Sequence, residues 1–293
     1  MSSGRRAGKA EARGRCYRLP MAELPATPSP GPALREYAEG ELADALVALA
    51  DAPDPREEAP EPPDTRIHDG LHRARKAIRR TRAALSLADA ALGPGARLID
   101  RALRRLNKRS SWQRDVHALV QTLDRLHDRP QSHDARALFA QARDAAADHR
   151  ASLTHDAKFT DAIATLRAEV LVLRAALAGL PWESVEARHI EAAIDRATRK
   201  SDKARERARH GDDAEDWHRW RRRMRRRSQQ VRAAAAAGFS AVLPPLDKSI
   251  AEQLGLMQDL SLVAEHGPPS LHHHATSALE RQRKRVRSVL PDA

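Results

Sequence analysis

Apolar residues recur along most of the chain at the three- and four-residue steps of a helix, and short polar runs with proline or glycine punctuate them. The pattern predicts helices over residues 33–51, 65–92, 96–107, 109–128, 134–153, 157–178, 184–209, 214–237, 245–265 and 270–289. Recognisable breakers separate them: "APDPREEAPEPPD" at 52–64, "GPG" at 93–95, Pro130, "GLPW" at 179–182, "HGDD" at 210–213, the prolines at 244 and 245, and "GPP" at 267–269. Most breaks are short, so neighbouring helices are expected to lie antiparallel, as in bundles. Residues 1–32 mix basic residues with "PATPSPGP" and offer no face to bury, which predicts a flexible arm before a helical region at 33–290.

Composition sharpens this to an all-α protein. Hydrophobic residues make up 41% but aromatics only 3%, and just 13 glycines interrupt the strong helix formers. Runs of β-branched and aromatic residues, which would favour strands, are missing. Cys16 is the single cysteine, so no intrachain disulfide forms, as suits a reducing compartment. No apolar run approaches the roughly 18 residues of a membrane span, and the N-terminus has no secretory apolar core. A cytoplasmic protein without membrane insertion is expected.

The charge is concentrated. The net formal charge is +12 and the pI about 10.6, which attracts polyanions without choosing among them. "LHRARKAIRRTR" at 71–82 carries six cations and no acid, and "WHRWRRRMRRRS" at 217–228 nearly repeats it. His72, Arg75, Lys76, Arg79 and Arg80 align with His218, Arg221, Arg222, Arg225 and Arg226. Downstream, "SSWQRDVHALV" at 110–120 parallels "LGLMQDLSLVA" at 254–264, so Asp115 answers Asp259. Such an internal repeat predicts two tandem helical bundles, one from about 33–155 and one from about 156–290.

On a helix with His72 at zero, Arg75, Arg79 and Arg82 fall near 300°, 340° and 280° and Lys76 near 40°. Leu71, Ala74, Ile78 and Leu85 gather between about 200° and 260°, a face for packing beside a cationic ridge. Trp217, Trp220, Met224 and Val231 occupy the same arc in the second copy, with His218, Arg221, Arg222 and Arg225 on its ridge. Like charges four residues apart, such as Arg75 and Arg79 or Arg221 and Arg225, oppose helix formation unless an anion lies across them. Arginine suits that anion, because it stays charged and offers paired donors to phosphate oxygens. The alternative is a solvated basic face paired with acids of neighbouring helices. Histidines among these arginines are expected to resist protonation, and the residues leave open whether His72 and His218 touch ligand or serve the fold. His68 and His72 stand in H-x3-H spacing, but the surrounding cations oppose a divalent metal.

The phrase H-x2-R-x3-R-R-x-R at His72, Arg75, Arg79, Arg80 and Arg82 resembles the signature of the CHAD family, the conserved histidine α-helical domain. H-x2-R-x3-R-R at His218, Arg221, Arg225 and Arg226 resembles the signature of its second half, and "QRDVHAL" resembles an "RDLDV"-like element through Arg114 and Asp115. The resemblance covers about residues 34–290. It implies two helical bundles related by a pseudo-twofold axis around a basic central cleft, which binds inorganic polyphosphate at polyphosphate granules without catalysis. Arg75, Arg79, Arg80, Arg82, Arg221, Arg225 and Arg226 would then contact phosphate. Arg114 matches the family element, Lys76 and Arg222 lie close by helix geometry, and "ATRKSDKARER" adds Arg199 and Lys203. Ser228 stands where the first copy has Arg82, and Gln258 where it has Arg114, so the second half is expected to be the weaker contact surface. The ExExK strand motif of a triphosphate-tunnel domain is missing, which points to a standalone member.

Polyphosphate carries charge at every unit and no bases, so it needs cations and no stacking platform. Three phenylalanines, four tryptophans and two tyrosines in the whole chain suit it better than single-stranded nucleic acid. Sequence-independent binding of nucleic acid is the alternative, followed by an enzyme of phosphate polymers and a scaffold for other granule proteins. No GxxxxGK[ST], GxSxG, HExxH or CxxC occurs. Neither catalytic residues nor a cofactor are expected.

Overall fold

A computed structural model describes residues 29–50, 63–128, 133–154, 157–211, 213–239 and 248–290. Residues 1–28 of the expected 1–32 arm, the 52–64 segment almost entirely and the proline pair at 244 and 245 lie outside these described residues, and residues 30–32 belong to the first helix instead of the arm. Within them the chain is helical: α1 Pro30–Ala50, α2 Pro63–Arg109, α3 Ser111–His127, α4 His133–Thr154, α5 Ala157–Ala178, α6 Ala187–His210, α7 Ala214–Ala236, α8 Lys248–His266 and α9 Pro269–Val289. A single 3-10 turn, Trp182–Ser184, joins α5 to α6. No strand occurs among the described residues, as the sequence pattern predicted.

Two of the expected helices, 65–92 and 96–107, are arms of α2. At Gly93 the backbone leaves helical geometry, with φ 67° and ψ −151°. Only glycine enters that region without strain. The reversal of φ breaks the axis there and sets the second arm beside α5. Asp69 and Arg75 lie on the arm before the break, Arg97 and Arg101 on the arm after it.

Helices pair as hairpins, α1 with α2, α3 with α4, α6 with α7 and α8 with α9. Close approach at the first of these depends on Gly70, since a Cβ there would come within 2.4 Å of the Ala48 carbonyl oxygen. One core gathers α1, both arms of α2, α5, the start of α6 and the end of α7, around side chains such as Leu42, Ile78, Leu103, Val170 and Trp182. The other gathers α3, α4, α8 and α9 with the end of α6 and the start of α7, around Leu123, Trp220, Leu254 and Val263. The cores therefore cut across the two sequence halves. Helix α7, about 34 Å long at 1.5 Å per residue, anchors Trp217 and Trp220 in one core and Ala233 and Ala234 in the other. The expected repeat boundary at 155/156 itself lies outside the described residues. No helix among the described residues is long and apolar enough to cross a membrane.

Candidate anion-binding cleft

The apolar arc of the first basic stretch packs as predicted: Leu71, Ala74, Ile78 and Leu85 are buried. The cations beside it do not form one open ridge. Arg75 is only 4% exposed, and its Nη1 donates to the Asn107 carbonyl and to Ser110 Oγ at the α2–α3 corner. Arg80 reaches both carboxylate oxygens of the buried Glu41 on α1, each at 3.2 Å. Arg82 donates from Nε and Nη2 to the two oxygens of Asp100 across the Gly93 break, at 2.8 and 3.3 Å. Lys76 is exposed and lines a separate groove between α1 and α2 with Arg73, Arg80, Glu41 and Asp44.

Arg79 is half-buried and helps set the state of His72. One edge of that imidazole is open, but packing around the rest lowers its pKa to about 4, and Arg79, His117 and Lys76 add to the effect against Asp69. Its neighbour His68 is buried, stacked on His117 with the rings 5.6 Å apart and 3° from parallel. His117 Nε2 lies 3.0 Å from Asp69 Oδ1. Among the described residues no three metal-ligating side chains gather.

On α7, Trp217, Trp220 and Met224 are buried and Val231 is half-buried. His218 and Arg221 turn toward α8 and α9, beside Gln258, Ser261 and Arg283, around a cavity of about 10 Å³. That is room for about one water and far too little for a phosphate. Arg222 pairs with Glu215 of its own helix. Arg225 is exposed, as are Arg199 and Lys203 on α6. Asp259, the acid of the second half, accepts from Arg125 at 3.1 Å. Arg114 and Asp115 fall on α3, but their side chains are outside the described residues.

The open cationic surface is a cleft of about 360 Å³ between the arms of α2, α6 and α7. From α7 come Arg223 and Arg226, from α6 Arg196 and Lys200, and from the second arm of α2 Arg97 and Arg101. Ser86 and Gln230, hydrogen-bonded at 2.8 Å where α2 crosses α7, line the same cleft. Asp89 and Asp100 are its acids. Asp89 lies 3.7 Å from Arg97. Among the described residues, no carboxylate stands within ion-pair distance of Arg101, Arg196, Lys200, Arg223 or Arg226. Crowding shows at Arg226, where burial, then Arg82, Arg223 and Arg104, lower the pKa while Asp100 raises it.

Among the described residues, Arg226 is the one cation singled out in the sequence that lines this cleft, with Arg82 behind it on Asp100. Arg97, Arg101, Arg196, Lys200 and Arg223 were missed. The available signal was spacing: Arg97 with Arg101, and Arg196 with Lys200, each four apart on one helix. In the register that aligns the two basic stretches, Arg80 corresponds to Arg226. Glu41 neutralises the first, and no carboxylate meets the second. Four of those five cations, Arg196, Lys200, Arg223 and Arg226, thus sit in the half expected to be weaker.

Among curated proteins none matches the chain. A solved structure similar to it is the crystal structure of the CHAD domain from the plant Ricinus communis, 19% identical over 96% of this chain and 91% of that one, with a TM-score of 0.48. The sequence matches the CHAD domain over residues 58–268, most of its length, and the chain belongs to the CHAD family.

Proposed function

We propose that the protein binds inorganic polyphosphate without catalysis, holding the chain in the cleft between α2, α6 and α7, and that it associates with polyphosphate granules through this contact. The observation that carries the reading is the group of five cleft cations with no carboxylate partner among the described residues. Cations already matched by the fold have little to gain from a ligand, whereas unmatched ones repel one another until an anion enters. The family is linked with polyphosphate binding in general, which agrees with this.

The lining also favours a chain of phosphates over a nucleic acid. No aromatic side chain lines the cleft among the described residues. Trp217 and Trp220 are buried, with Arg287 lying 5.6 Å over the Trp217 ring. Single-strand binders stack bases on exposed rings, and that platform is missing here.

A competition titration tests the reading. Labelled long-chain polyphosphate is bound at roughly 150 mM salt, where loose contacts between exposed charges are already screened. Unlabelled polyphosphate, single-stranded DNA, RNA and heparin then compete at matched charge. Preferential displacement by polyphosphate is the expected result. Equal displacement by all four competitors would leave a generic cationic surface, and release of phosphate in the presence of magnesium would overturn the non-catalytic part.

A further inference from the structure

The two carboxylates inside this basic cleft have different settings. Both reach across the Gly93 break, each joining the first arm of α2 to the second. The Arg82–Asp100 pair is bidentate, at 2.8 and 3.3 Å, with the side chains only 19% and 29% exposed. Such geometry fixes one arm against the other. The Arg97–Asp89 pair is a single contact of 3.7 Å between side chains 51% and 46% exposed. It is too long for a hydrogen bond, and water competes with it on both sides.

Given a polyphosphate chain in this cleft, on which the role rests, we infer that Asp89 sets the affinity by competing with the ligand for Arg97. Asp100 instead remains on Arg82 and keeps the arms in register. In the ligand-free protein Asp89 stands in for a phosphate oxygen. A bound phosphate chain presents several charges at once and takes Arg97 over, so Arg97 turns from Asp89 toward the ligand. Asp89 itself contacts no phosphate. It stays at the rim as an uncompensated negative charge, which weakens binding of every anion and costs a sparsely charged one proportionally most. The residue is thus a determinant of charge-density preference that acts through Arg97.

The test is a double-mutant cycle on the full chain, titrated with long-chain inorganic polyphosphate over a series of salt concentrations. Its members are Asp89→Asn, Arg97→Gln and the double variant, with Asp44→Asn in the separate α1–α2 groove as a control for net charge. Asp89→Asn is expected to bind about two- to fivefold tighter, the range available from an exposed ion pair. Its salt dependence should steepen by close to one released ion. Asp44→Asn should change affinity far less, and Asp89→Asn should give less than half its gain once Arg97 is glutamine. A gain that is equal for Asp44→Asn, or that survives intact in the Arg97→Gln background, overturns the role of Asp89 and leaves polyphosphate binding standing. Absence of polyphosphate binding by the wild-type chain overturns both. Circular dichroism and melting of each variant separate these outcomes from misfolding.

Discussion

Replacing Arg226 with glutamine is expected to move stability and binding in opposite directions. Burial lowers the pKa of this guanidinium, Arg82, Arg223 and Arg104 push it lower, and Asp100 offsets them only in part. A folded-state pKa below the unfolded one means that folding disfavours the charged form. For an arginine that cost is present at every ordinary pH, because the group is ionised throughout. Removing the charge therefore stabilises the fold. Arg226 stands at the solvent-open rim, so screening limits the relief to about 0.5–1 kcal/mol. In a domain of this size that raises the melting temperature by about 1–4 °C.

The same substitution takes away one of the cations that face the ligand. A charge-assisted hydrogen bond to phosphate is worth about 1.5 kcal/mol or slightly more, so affinity should fall about tenfold. The plot of log affinity against log salt should become shallower by about 0.7–0.9. Melting without polyanion and titration at several salt concentrations measure the two effects on one preparation. A variant that melts several degrees lower would show that Arg226 holds the fold together. One that melts higher but binds as before would show that the cleft is not where the polyanion lies.

Arg75→Met should cost about 2–4 kcal/mol, because it strips the buried Asn107 carbonyl and Ser110 hydroxyl of a charged donor; urea unfolding reads the loss, and an unchanged midpoint would contradict the placement. The fraction that stays folded should bind polyphosphate normally. His72, with a pKa near 4 against an ordinary 6.5, takes up its proton more readily in the unfolded chain. Stability should accordingly decline as pH falls from about 6.5 toward 4, by about 1–2 kcal/mol after allowance for the open edge of the ring. His72→Gln should flatten that decline in urea titrations across the same window; an unaltered slope would assign the loss to other groups. Gly93→Ala meets no atom within 4 Å of the new Cβ, so its cost of about 1–3 kcal/mol should come from the backbone alone, accompanied by weaker polyphosphate binding as the second arm shifts.

The helices and their breaks were legible in the chain because both signals are local. Period, caps and breakers act within a few residues, and "GPG" at 93–95 marked the break between the two arms of α2. The cleft was harder to read. Arg75 and Arg82 lie within about 40° and 20° of Leu71 on the helical wheel, at the border of the apolar arc. A wheel orders positions around one axis and says nothing about which neighbour covers the border. That neighbour is the second arm of α2 and the corner after it, where Asn107, Ser110 and Asp100 capture both guanidinium groups. On α7, Arg223 and Arg226 fall near 140° and 80°, on the opposite flank from Arg221. They stay open because α6 and the second arm of α2 bring mainly cations to that flank, and the arm's carboxylate there, Asp100, is held by Arg82.

Net charge consequently misjudges what such a chain can bind. The two aligned basic stretches are close to equal in cations, but Arg80 is held by Glu41 and its counterpart Arg226 is not. A ligand at Arg80 would have to displace a buried carboxylate, leaving that charge uncompensated at a cost of several kcal/mol. A ligand at Arg226 would displace no ion-paired carboxylate and would relieve the repulsion that Arg82, Arg223 and Arg104 exert on it. Two nearly identical phrases in the sequence thus meet different electrostatic surroundings in the fold. The difference comes from one acid on α1 and two bases, Arg196 and Lys200, at the corresponding flank on α6. Capacity for a polyanion follows from which cations the fold leaves unmatched, and a repeat that duplicates the cations without their partners does not duplicate the site.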